Sequence, residues 1–138
     1  MVKLNQVKNN RGAALVEFAL VLPLLLLLLV GMIEFGLLFY NKQVLTNASR
    51  EGARAGIARV GNISDIVDNY CRDRLISFSS PSAVDTDVDG EGGAFNADLM
   101  VTVKYDYDFM LPALLSVNSQ MELSAVTVMK MMMIGKSP

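Results

Sequence analysis

The residues able to do chemistry in this 138-residue chain are few, and most are acids. Glu17 and Glu34 are the only charged side chains in residues 13–40. An unpaired carboxylate in so apolar a run costs a few kcal/mol, so it must snorkel, take up a proton or meet a cation. Asp85, Asp87 and Asp89 alternate ahead of Gly90. That is the first half of a D-x-D-x-D-G calcium loop, with oxygen ligands at every second position and glycine at the sharp turn. The twelfth position, where a bidentate glutamate belongs, is Asn96, and the flanks read as strands rather than helices. The pattern therefore reads first as a hairpin exposing its aspartates, with weak calcium binding as the alternative. The methionines of residues 129–133 could offer thioethers to a soft metal, although a strand end packing apolar side chains explains them more simply. The chain has no histidine, which excludes a Ser-His-Asp or Cys-His pair and a His-ligated zinc site. Its single cysteine, Cys71, excludes an internal disulfide or a cysteine cluster. With no nucleophile–base pair, the composition argues against an enzyme. The net charge of −2 argues against nucleic acid as a partner.

The elements that must position these acids begin with a basic head. Residues 1–12 carry Lys3, Lys8 and Arg11 and no acid, and a long apolar run follows. A secretory signal has an apolar region of about 7–15 residues closed by a small-residue box. This run is longer and has no such box. Residues 18–33 are uncharged and span about 24 Å as a helix, and residues 36–40 complete the ~30 Å hydrocarbon core. Phe39 and Tyr40 suit an interfacial position, and the basic head places residues 1–12 in the cytoplasm and residue 41 onward outside. Pro23 should kink this helix by removing the partner of the Ala19 carbonyl. Glu34 lies about 26 Å beyond Glu17 along the axis, at the outer interface, where it either snorkels or pairs with a partner subunit.

Gly12, four apolar residues and then Glu17 and Phe18 form a pattern that resembles the processing site of type IV prepilins and pseudopilins. The resemblance implies that a membrane-embedded prepilin peptidase cuts after Gly12 on the cytoplasmic side. Ala13 then becomes a new N-terminus, open to methylation, and Glu17 becomes the fifth residue of the mature chain. A buried carboxylate and a buried amine are each costly alone and tolerable as a pair, so Glu17 of one subunit can meet the Ala13 amine of its neighbour.

Beyond the span the helix continues through residues 41–61. Ala48, Gly52 and Gly56 recur every four residues and line one face with little side chain, a surface that lets another helix approach closely. Arg50 and Arg54 stack one turn apart on another face, with Glu51 between them. Fraying toward Gly61 is the alternative for this stretch. The Gly12 site, Glu17-Phe18, the glycine- and glutamate-bearing stretch of residues 31–36 and the alanine-arginine-glycine segment of residues 48–55 together resemble the TadE-like minor pseudopilins. That family belongs to the tight-adherence (Flp, type IVc) pilus system. The matching features do not separate TadE-type from TadF-type proteins. The resemblance implies a structural or assembly subunit in the inner membrane that is incorporated into, or lies beneath, the pilus. Its partners would be the prepilin peptidase, sister pseudopilins, the major pilin, the inner-membrane assembly platform and the lipid bilayer. An uncleaved single-pass anchor carrying a periplasmic binding domain is the alternative.

In the remaining residues, Asn62 or Ser64 can cap a second helix with Asp65 in its first turn. Ile63, Ile66, Val67, Tyr70, Cys71, Leu75 and Ile76 follow helical spacing and form an apolar face. Cys71 on that face reads as a buried thiol, with an intermolecular disulfide as the alternative in an oxidising periplasm. Residues 77–82 form a loop. Residues 83–89 and 98–107 alternate around a glycine-rich turn at residues 90–93, a hairpin signal, and residues 121–129 form a third strand. Residues 111–115 form a short connector. The expected fold is α+β and pilin-like: a long N-terminal transmembrane helix, a short amphipathic helix and a small antiparallel three-stranded sheet. The expected divisions are a leader (1–12), the span and assembly helix (13–60) and an outer α+β domain (61–138), with no cofactor beyond the calcium alternative.

Overall fold

The computed structural model describes residues 11–77, 83–110 and 120–131. The leader up to residue 10, most of the 77–82 loop, the 111–115 connector and Met132 and Met133 lie outside the described residues. Two compact units divide the chain, one ending at Ile33 and the other beginning at Glu34.

The described part of the first unit is helical. It belongs to α1, Arg11–Ala58, which runs without interruption through Pro23. Leucine loses little rotamer freedom in a helix, and the run has almost no side chain that competes for backbone hydrogen bonds. Its large apolar residues face outward on all sides: Leu15, Phe18, Leu20, Leu24 and Leu27 are each more than half exposed. By length and composition α1 can cross a membrane.

The second unit combines the remainder of α1 with α2 (Ile63–Arg72) and a three-stranded sheet. The strands are β1 (Asp85–Asp89), β2 (Asp98–Asp108) and β3 (Gln120–Lys130), in the order β1-β2-β3 with both pairs antiparallel. Alternation sets the core. Leu99, Val101, Val103, Tyr105 and Tyr107 of β2 point inward with Leu123 and Ala125 of β3. Against them pack Val44, Leu45, Ala48 and Ala53 of α1 and Ile63, Val67 and Cys71 of α2. Side chains that close would not fit at two glycines. A Cβ at Gly52 would lie 2.7 Å from Val67 Cγ2, and one at Gly56 would lie 2.6 Å from Leu99 Cδ2 and 2.7 Å from Ile63 Cδ1. The β1–β2 connection turns at Gly90, whose φ of +82° places any Cβ against the Asp98 carbonyl oxygen.

The short helix starts where its cap requires. Asn62 is the N-cap, its side-chain oxygen accepting the Ser64 backbone N–H at 3.1 Å, and Asp65 sits in the first turn. It ends earlier than the apolar spacing implies. Ile63, Val67 and Cys71 are buried along α2, but the helix stops at Arg72, so Leu75 and Ile76 are not part of its face. The N–H groups of Arg74 and Leu75 both converge on the Cys71 carbonyl, closing the turn. Ile76 is then held from another direction. The buried Asn41 side chain donates to the Ile76 carbonyl at 2.7 Å and accepts the Ile76 N–H at 3.0 Å.

Candidate processing and assembly site

The motif residues at the head of α1 are accessible. Gly12, Ala13 and Glu17 are exposed, Phe18 is 61% exposed, and nothing lies within 4 Å of a Cβ built on Gly12. Ala13 and Glu17 are four residues apart in one helix and therefore share a face. Pro23 continues the same exposed stretch. In water the exposed side chains of this unit would leave apolar surface uncovered at about 2 kcal/mol for each large one, in keeping with a helix that by length and composition can cross a membrane.

Glu34 belongs to the second unit and is only 7% exposed. Its carboxylate accepts the backbone N–H of Met110, just past the end of β2. It therefore neither snorkels into solvent nor presents its carboxylate as a bare charge. Tyr107 lies close by, its ring edge-on to Phe109 at 5.3 Å. Burial first, and the negative charge of Glu34 second, raise the Tyr107 hydroxyl above the usual tyrosine range. That hydroxyl has no hydrogen-bond partner among the described residues.

The small-residue face of α1 is filled from within the chain. Ala48, Gly52 and Gly56 are buried, and the glycines meet Ile63 and Val67 of α2 together with Leu99 and Val101 of β2. The helix that the small residues admit is thus the chain's own α2. The predicted site residues accordingly fall into two sets. Gly12, Ala13, Glu17, Phe18 and Pro23 lie in the first unit, whereas Glu34, Ala48, Gly52 and Gly56 lie in the second.

Asp85, Asp87 and Asp89 are exposed along β1 with Thr86 and Val88 turned inward between them. An extended strand sets alternate residues about 6.6 Å apart, unlike a loop that wraps its oxygens around one point. Among the described residues, no group of three or more His, Cys, Asp or Glu side chains is arranged to hold a metal ion. Cys71 is 1% exposed, and burial first, then the charge of Asp68, push its thiol up to about 11 against the opposing pull of Arg74. The thiolate that disulfide exchange requires is therefore scarce at neutral pH.

Sequence reasoning missed several polar residues that, within the second unit, fasten its part of α1 to the sheet and to Ile76. Besides Asn41, the Lys42 ammonium donates to the Ser124 carbonyl on the β3 edge. The buried Ser49 hydroxyl shares a hydrogen bond of 2.7 Å with Thr127 and donates to the Thr46 carbonyl at 3.0 Å. The available signal was positional: Asn41 and Ser49 occupy the same helical face as Leu45, Ala48 and Gly52.

No curated protein and no solved structure matches the chain. From Gly12 through Glu17 and Phe18, the apolar span and the small-residue face as far as Arg54, residues 12–54 match the sequence model of the family described as TadE-like protein.

Proposed function

We propose that this chain is a pseudopilin-type assembly subunit of a tight-adherence pilus, acting as a structural component rather than a catalyst. One observation carries the reading: an accessible Gly12-x4-Glu17-Phe18 motif heads a helix whose large apolar side chains are left exposed by the described residues. A prepilin peptidase cuts after Gly12 at the cytoplasmic face of the inner membrane and removes the basic leader. The span then holds the subunit with residue 41 onward outside, until the assembly platform moves it into or beneath the filament.

The chemistry of that transfer is an exchange of surroundings. Lipid tails and leucine side chains are equally apolar, so leaving the bilayer gains nothing unless helix packing and polar pairing replace the lipid. Cleavage supplies the polar pair. It frees the Ala13 amine, and Glu17 carries the carboxylate able to neutralise a neighbour's amine once both leave water. Within sister pseudopilins and the major pilin, that pairing would set the axial register between helices.

The test is Glu17→Leu in cells that make the pilus. The variant is expected to insert and to be shortened like the wild type, but to drop out of cross-linked complexes with neighbouring subunits. Glu17→Asp is expected to recover part of the loss. Normal complex formation by the leucine variant would remove Glu17 from the mechanism.

A further inference from the structure

The outer face of the sheet and the outer face of α1 carry opposite charge on opposite sides of the same unit. On the sheet, residues not turned toward the helices fall into cross-strand rows. Asp87 stands beside Thr102 and Val126, and Asp89 beside Met100 and Val128. Met100, Val126 and Val128 are 37%, 56% and 55% exposed, an apolar strip bordered by the β1 aspartates. Further along the sheet Asp106 stands directly opposite Glu122, a like-charge pairing that destabilises an isolated sheet. Of the lysines on this face, Lys130 is paired with Asp98 at 3.3 Å and Lys104 stands opposite Asp85. The balance is acidic, around an apolar centre. On α1, Leu45, Ala48 and Gly52 turn toward the core, so Arg50 and Arg54, both exposed and one turn apart, point the other way. Glu51, also exposed, lies between them in sequence, so the charge on this side of α1 stays positive.

An apolar strip rimmed by one sign of charge marks a docking surface, and complementary charge selects its occupant. We infer that the acidic outer face of the sheet receives the Arg50/Arg54 face of a second copy of this chain. Because the two faces point in opposite directions, a copy can give one and receive the other at the same time. Such a heterologous contact does not close into a dimer but propagates from copy to copy, into a ring or an open filament. This goes beyond the proposed function, since it uses only residues from 50 onward and is independent of cleavage after Gly12.

The contact is tested with the full-length chain in membranes, using neutral cysteines beside the charges and leaving the buried Cys71 in place. Thr102→Cys and Asn47→Cys together on one chain are expected to give a ladder of disulfide-linked multimers, and either alone is expected to give none. Asp85→Lys, Asp87→Lys and Asp89→Lys together should reduce the ladder about tenfold or more, and Arg50→Glu with Arg54→Glu should restore it. The milder exchange of Asp87→Lys with Arg54→Glu gives the same comparison if the triple variant unfolds. A dimer from Thr102→Cys alone or Asn47→Cys alone would overturn the inference, because it signals a two-fold contact. So would cross-linking mainly to another protein, or a ladder that ignores charge reversal or is not restored by the reciprocal exchange. Shortening at Gly12, followed in the same samples, reports separately on the proposed function.

Discussion

Up to Ile33, α1 turns its leucines outward on every side, whereas from Glu34 to Ala58 it buries one face under α2 and the sheet. The two stretches differ in how their needs are met. In the later stretch small residues, a buried acid and the buried Asn41 amide are all answered by the chain's own groups. In the earlier stretch Glu17 and most of the leucines stay exposed among the described residues, and under the proposed function lipid or neighbouring subunits would cover them. A residue's place along one helix therefore decides whether its replacement harms folding or assembly.

The sharpest way to break that comparison is with matched glycine substitutions. Gly56→Val drives side chain into Leu99 and Ile63 and is expected to cost the second unit about 3 kcal/mol, after any gain in helix propensity. Gly31→Val, with nothing within 4 Å of its Cβ, should stay within about 0.5 kcal/mol. Thermal unfolding of the full chain in detergent, followed by tyrosine fluorescence, reads both; equal effects would remove the distinction.

Next in size is Asn41→Ala, which leaves the Ile76 N–H and carbonyl without their side-chain partner. A loss of about 2 to 3 kcal/mol is expected, with faster hydrogen exchange at the Ile76 amide. Glu34→Ala should cost about 2 kcal/mol by orphaning the Met110 N–H, and Glu34→Gln should keep part of that bond. Glu17→Ala is the matching control and should leave the unfolding temperature unchanged. A last effect, visible only in alkali, concerns Cys71, whose thiol is held near 11 in the folded chain against an ordinary value of 9.0. The unfolded state binds fewer protons than the folded state in that window, so stability falls as pH rises from 9 to about 11. The loss is at most about tenfold in the folded-to-unfolded ratio per pH unit; Cys71→Ala should remove it between pH 9 and 10, where the raised Tyr107 hydroxyl does not yet contribute.

Much of this fold was legible because its signals are local. The three strands follow from alternation, two of them around the turn at Gly90, with ends displaced by no more than two residues, and α2 starts at Asn62, one of the two caps its sequence offered. Its end was not legible, since apolar spacing persists through Leu75 and Ile76 after the backbone has turned. Long-range polar ties were equally hidden. Asn41 reaches a residue 35 positions away and Glu34 one 76 positions away, and no local pattern records such a partner. The small-residue face at Ala48, Gly52 and Gly56 was visible as a surface for close approach, but spacing alone could not say that α2 of the same chain fills it. The Gly12, Glu17 and Phe18 motif showed the opposite balance: its pattern was readable at once, and its residues are exposed in the structure.

The intact mass of the protein purified from its own cell envelope tests the central claim most directly. The account predicts a mass matching a chain that begins at Ala13, with or without one added methyl group. A full-length mass from cells with an active prepilin peptidase would contradict it, and would leave an uncleaved membrane anchor with an outer binding domain as the better description.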